Sequence, residues 1–326
     1  MRKGFLFFFA LILLLLLHLL YFADVLHLSA GTAIATYGGI VRANMTPFAW
    51  CAYLLLLLGL LTILDRRSYL RRQRNRLAVC WLWAVPAWCY FDWINFYFMR
   101  DPVTGLRAWE YENLPPDFSD RLVGYLIAFG AIGPGMFLTA EVLQRLGFHK
   151  LTFHRAKIAQ PIKNRNRKVE TRISLAVFLL GLALTPVPIF IGTPASNLAI
   201  WVGTWALLDP INRRFGRPSI LADWFAGRWG RTLALGLAGL LCGFLWEFWN
   251  FWAYTKWTYH LPFLGHLERY KYFEMPLPGL IGFIAFALET WAMWQTALLL
   301  LAPFVEGEAS TPKTPADQSL HDYSCL

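Results

Sequence analysis

Residues 241–259 read LCGFLWEFWNFWAYTKWTY. The stretch is almost wholly apolar and aromatic, yet Glu247 and Asn250 stand in its middle. An earlier stretch, residues 87–98, reads AWCYFDWINFYF and places Asp92 and Asn95 at the same spacing. A carboxylate and an amide three residues apart share one helix face. Both pairs fall where hydrocarbon is expected, so these two stretches decide how the rest of the chain is read.

Of the 326 residues, 57% are hydrophobic and only 15% charged. Soluble domains carry roughly 25% charged residues. The apolar residues also come in runs long enough to cross a bilayer, which takes about 20 residues per helix. Eight runs qualify, at about 5–23, 46–64, 77–99, 121–143, 173–192, 195–209, 232–254 and 276–302. The sixth is short. No period-two alternation suggests an outer-membrane barrel. The chain reads as an all-α polytopic membrane protein. The N-terminal run is longer than the ~7–15 apolar residues of a signal peptide, so it is expected to remain as the first span. Residues 24–45 are weakly apolar and are expected to lie on the surface or to re-enter.

Orientation follows from Lys and Arg placement. Of 30 such residues, seven (Arg42, Arg100, Arg107, Arg121, Lys256, Arg269 and Lys271) fall opposite the N-terminus, and the other 23 fall on its side. The expected arrangement is a prokaryotic inner-membrane protein with both termini cytoplasmic. Topology accounts for the net charge of +10, and no nucleic-acid-binding motif accompanies it. The five cysteines form no CxxC pair and the seven histidines do not group, so neither a metal nor another cofactor is expected.

The two stretches belong to a longer correspondence. Asp92 to Glu247 and Asn95 to Asn250 are each 155 positions. Each block continues into a Trp-x-Tyr segment followed by proline: Trp109, Tyr111 and Pro115, then Trp257, Tyr259 and Pro262. Each ends in an apolar span with one glutamate, Glu141 or Glu289, and upstream ILDRRS (63–68) resembles LLDPINRR (207–214). The expectation is two parallel four-helix repeats, 1–144 and 173–304, joined by a basic cytoplasmic linker at 145–172 and followed by a disordered tail at 305–326. Parallel repeats imply a pseudo-two-fold axis along the membrane normal, with sites where the halves meet.

Asp92 and Glu247 each lie about fifteen residues into their spans, at matching depth. A charge in hydrocarbon costs at least ~2.5–3.5 kcal/mol, so both are expected to face the protein interior. Three roles are open to them. They can bridge helices, each hydrogen bond contributing ~0.6 kcal/mol. They can line an ion or solute path. They can donate protons to a lipid-soluble substrate, with aromatic faces stabilising a cation by ~2 kcal/mol or more. In the catalytic case Glu247 and Asp92 are the acids, and Glu274 and Glu289 serve as base or partner acid. Asn95 and Asn250 orient the acids, and Trp252, Trp257, Tyr259, Trp109 and Tyr111 line the pocket.

The segment Phe244–Trp294, with WEFWNFWAYTKWTY and FEMPLPGLIGFIAFALE, resembles an uncharacterised bacterial family of multi-pass membrane proteins. It is also distantly similar to the membrane lycopene cyclase domain. Trp246-Glu247 matches that family's Trp-Asp element, with Cys89 to Asp92 as a weaker first copy. Trp257 and Tyr259 match its middle element, and Pro276 to Glu289 its last. The family's Pro-x-Glu-Glu pair is absent, with only Glu274 before Pro276 and Glu289 well after it. The resemblance implies an acid–base cyclase, hydratase or isomerase acting on a carotenoid or other polyisoprenoid lipid. The alternative is a non-catalytic transporter or assembly protein in the bilayer.

Overall fold

A computed structural model describes residues 4–28, 33–152, 167–305 and 324–326. Seven described helical segments are long and apolar enough to cross a membrane: Phe5–Val25, Met45–Leu64, Tyr69–Tyr97, Phe118–Arg145, Arg167–Ile191, Gly230–Phe251 and Leu277–Val305. The sixth expected span lies in an eighth long helix, Asn197–Arg214, which is not among them. It carries Asp209, Asn212, Arg213 and Arg214 within 18 residues. Its polar groups find protein partners instead of lipid. Asn212 donates to the Ala292 carbonyl at 2.9 Å and accepts from Thr296 at 2.9 Å.

In chain order the helices are α1 (Phe5–Val25), α2 (Ala33–Ala43), α3 (Met45–Leu64), α4 (Tyr69–Tyr97), α5 (Phe118–Arg145) and α6 (Arg167–Leu184). They continue as α7 (Val187–Ile191), α8 (Asn197–Arg214), α9 (Ile220–Phe225), α10 (Gly230–Phe251) and α11 (Gly282–Val305). Short strands β1 (Trp109–Glu112), β2 (Lys256–Tyr259), β3 (Lys271–Tyr272) and β4 (Met275–Pro276) lie in the loops. The weakly apolar segment after α1 forms α2, which packs on α1 so closely that a Cβ at Gly38 would meet Asp24 Cβ at 2.9 Å.

The helix contacts of one half have counterparts in the other. α1 packs on α3 as α6 packs on α8, α3 on α5 as α8 on α11, and α4 on α5 as α10 on α11. Across the halves α10 packs on α5, and its counterpart α4 packs on α11. Close approach in lipid needs small residues, because only they let backbones touch. Gly59 on α3 lies against the Phe7 backbone of α1, and Gly203 lies against Leu184 and Thr185 at the end of α6. The repeat's second half is broken where the first is continuous. Ser68 caps α4, whereas Ser219 caps the short α9 and a turn then leads into α10.

The strands lie at one end of the bundle. β1 pairs antiparallel with β2, Trp109 opposite Tyr259 and Tyr111 opposite Trp257. Each Trp therefore faces the other half's Tyr, the arrangement a two-fold axis through the ribbon requires. The opposite end carries a cluster of linked ion pairs. Asp65 binds Arg145 at 2.6 Å and also Arg72, and Glu141 binds Arg145. Asp209, at the position corresponding to Asp65, instead accepts from Ser219 and the Ile220 and Leu221 amides at 2.7–2.9 Å. Of the expected linker, residues 153–166 lie outside the described residues, and so do 306–323 of the expected tail. Residues 324–326 pack at this same end. Glu141 Oε1 accepts from the Cys325 and Leu326 amides, and Trp294 Nε1 donates to the Leu326 carbonyl at 3.0 Å.

Candidate functional site

The two amides act on the ribbon. Asn95 donates to the Trp109 carbonyl at 2.8 Å and accepts from the Ala108 and Trp109 amides at 3.1 and 3.4 Å. Asn250 donates to the Trp257 carbonyl at 2.7 Å and accepts from the Trp257 amide at 2.9 Å. Each asparagine thus grips both backbone polar groups of the tryptophan that opens its half's Trp-x-Tyr segment. Neither hydrogen-bonds an acid, so the orienting role expected of them falls instead on the ribbon backbone. Replacing Asn250 by Ala leaves a backbone donor and acceptor without partners, at about 1–3 kcal/mol per buried group. N250A and N95A are expected to lower the melting temperature by similar amounts. Melting both variants in detergent checks this, and a loss confined to one half would contradict the two-fold design.

The two carboxylates have diverged. Asp92 Oδ1 accepts from Trp109 Nε1 at 2.9 Å and from the Tyr111 hydroxyl at 3.0 Å. The Tyr111 oxygen in turn accepts from Trp88 Nε1 at 3.0 Å. Glu247 has both oxygens buried without a hydrogen-bond partner. Tyr259 and Trp257 are its neighbours, outside hydrogen-bond geometry. One reason is legible in the repeat: the position equivalent to Trp88 is Gly243, whose missing side chain makes room for the Phe283 ring. Burial, and then the nearby Glu247 carboxylate, push the Tyr259 phenol well above its ordinary pKa. Burial and Asp92 do the same for Tyr111. Both phenols are therefore neutral O–H groups at physiological pH.

Beneath the ribbon lies a cavity of about 520 Å³ walled by both halves. Four expected residues, Trp109, Tyr111, Trp257 and Tyr259, line it. Its centre is an aromatic cluster: Trp88 and Trp246 have ring centroids 5.3 Å apart, Trp88 and Phe286 5.8 Å, and Trp246 and Trp257 5.6 Å. Trp246 and Trp257 carry buried indole N–H groups with no acceptor. The cavity is flanked by residues that face outward from the bundle, Val123 on α5, Leu198 and Val202 on α8 and Ile281 before α11. It is thus bordered by the membrane-facing surface.

The remaining expected residues lie elsewhere. Trp252 does not line the cavity. Its ring packs edge-on against Phe22 and Phe273 on the side of α1, and Arg42 Nε donates to its carbonyl at 3.0 Å. Glu274 is tied to Lys256 Nζ at 2.7 Å. Glu289 is fully buried with neither oxygen hydrogen-bonded, with Thr204 of α8 and Tyr90 of α4 beside it. On α11 it lies one turn beyond the cavity residues Ala285 and Phe286, at the i+4 and i+3 positions of one face. Asp92 and Glu247 stand one side chain behind the wall, not in it.

Sequence reading passed over Trp88, Phe91, Trp246 and Phe286 as lining residues, and Arg121 as well. The signal for two of them was present: 155 positions separate Phe91 from Trp246, each directly before its acid. Among the described residues no group of three or more His, Cys, Asp or Glu could hold a metal ion.

Fold and site together define a polytopic α-helical membrane protein with an aromatic cavity between two matching halves. No protein-family model, curated protein or solved structure matches the chain.

Proposed function

We propose that the cavity is the reaction chamber of an acid–base enzyme acting on a polyisoprenoid lipid, a carotenoid among the candidates. The observation that carries this reading is the buried, unpartnered Glu247 carboxyl behind the Trp257 and Tyr259 wall of an aromatic cavity. A carboxyl without partners inside a folded protein is costly to keep, and a role in chemistry explains its retention. The proton passes from Glu247 to the neighbouring Tyr259 hydroxyl once rotation of the two side chains closes a hydrogen bond between them, and from that hydroxyl to a carbon of a substrate double bond. The π electrons form the new C–H bond and leave a tertiary cation. The faces of Trp88, Trp246 and Trp257 stabilise that cation. Closure by a second double bond and loss of an adjacent proton, returned to the same carboxylate, give a net isomerisation without a cofactor. Capture of water in place of closure gives a hydratase.

The distant likeness to membrane lycopene cyclases agrees with this chemistry. The Lys and Arg bias supports insertion in a prokaryotic inner membrane with both termini in the cytoplasm. A second reading, a non-catalytic transporter or assembly protein, is favoured by one observation. Asp92 spends its carboxylate on Trp109 and Tyr111, as a helix brace would. Comparing the total lipids of cells with and without this chain separates the two. The enzyme reading expects a substrate lipid to accumulate when the chain is absent and an isomer or hydrate to appear when it is present. An isoprenoid profile identical in both would sink it.

A further inference from the structure

Arg121 borders the same cavity and is unlike the other charged residues there. Its Nε is buried without a hydrogen-bond partner, and it forms no ion pair among the described residues. Lys256, also at the wall, is neutralised by Glu274 at 2.7 Å. Asp120 borders the mouth too, but is exposed, where water and salt screen its charge. Holding a guanidinium partly out of water with an unmade bond is unfavourable unless an acceptor completes it.

The position of Arg121 gives that acceptor a direction. Arg121, Tyr125 and Phe129 follow at i, i+4 and i+8 along α5, so one face of the helix carries all three. Tyr125 and Phe129 stack with centroids 4.8 Å apart, Phe129 lies 5.8 Å from Trp88, and Trp88 leads to Trp246. Arg121 stands two helical turns, about 12 Å along the axis, from the aromatic centre. All these side chains border the cavity. Val123 and Leu126, on intervening positions, are exposed on the apolar outer surface of α5.

We propose that the ligand is an amphipathic lipid with an anionic head, and that Arg121 is the residue that selects it. The head, a phosphate or carboxylate, pairs with the Arg121 guanidinium near the membrane surface. The hydrocarbon chain runs past Tyr125 and Phe129 and ends among Trp88, Trp246 and Trp257. Phosphate and carboxylate share the geometry a planar guanidinium recognises. This inference rests on the lipid-chamber reading above and adds the substrate class: a neutral polyene fills the centre but leaves Arg121 unpaired.

The test is binding by the purified full chain in nanodiscs of zwitterionic lipid, read by tryptophan fluorescence. The probes are farnesyl phosphate against farnesol and palmitate against hexadecanol, each pair differing only in the head. The expected result is at least about tenfold tighter binding of one or both anions than of the matching alcohol. Which pair shows the preference distinguishes a phosphate from a carboxylate. R121Q is expected to bring the anions to within about twofold of the alcohols while leaving alcohol affinity unchanged, and R121K to retain the preference. If the wild type binds alcohols and anions alike, or if R121Q keeps the preference, the Arg121 proposal is overturned and the chamber reading stands. If no probe of either kind binds, both fall.

Discussion

Replacing Glu247 by Gln is expected to abolish turnover while the protein still folds and inserts. Gln keeps the shape of the side chain and cannot supply a proton, and a positioned acid contributes about 10²–10⁴-fold. Because Glu247 makes no hydrogen bond, the exchange breaks none, so the melting temperature should hold. Asp92→Ala should behave in the opposite way. Its carboxylate accepts from Trp109 and Tyr111, and losing the acceptor of a buried donor costs about 1–3 kcal/mol. D92A is therefore expected to lose stability and to retain turnover within about tenfold. The paired measurement is product formation from extracted lipid together with thermal melting of each variant. Equal turnover in E247Q and wild type would remove the catalytic role. Equal loss of turnover in both variants would show that the halves have not diverged as their hydrogen bonds indicate.

The second large effect concerns the backbone contact between α6 and α8. A Cβ at Gly181 would lie 2.2 Å from the Leu207 amide nitrogen and 2.6 Å from the Ala206 carbonyl carbon. Backbone atoms cannot turn aside as a flexible side chain can. Gly181→Leu must push α6 off α8, at about 3 kcal/mol or more. The expected outcome is a chain that elutes as aggregate or melts well below the wild type. Gly124 on α5 has nothing within 4 Å of its ideal Cβ, so Gly124→Ala should be neutral or slightly stabilising, since Ala is favoured over Gly in a helix by about 1 kcal/mol. A monodisperse G181L protein with an unchanged melting temperature would contradict the close α6–α8 packing.

Much of the fold was legible because membrane insertion depends on local composition. Runs of apolar residues, with Lys and Arg gathered between them, are properties of neighbours in the chain. The eighth helix shows where that reasoning thins. Asp209, Asn212 and Arg213 lower the apolar character of α8, and only its enclosure between α6 and α11 explains why a polar segment lies there. The 155-position spacing was legible too, as an arithmetic fact. The antiparallel pairing of Trp109 with Tyr259 and Tyr111 with Trp257 was not, because it forms only when the two loops meet.

By itself, the sequence determined that this chain is a bundle of membrane helices, with an acid and an amide on one face of two of them. Tertiary structure alone decided that the amides hold strand backbone, that Asp92 is satisfied and Glu247 is not, and that Trp252 lies away from the cavity. It also decided that an unpaired Arg121 stands at the cavity's edge. The physical reason is the range of the forces involved. Hydrophobic burial adds up along a helix and leaves its trace in composition. Hydrogen-bond satisfaction is a property of pairs that meet only after folding, and two carboxyls at equivalent positions part company when one neighbour, Trp88 against Gly243, differs.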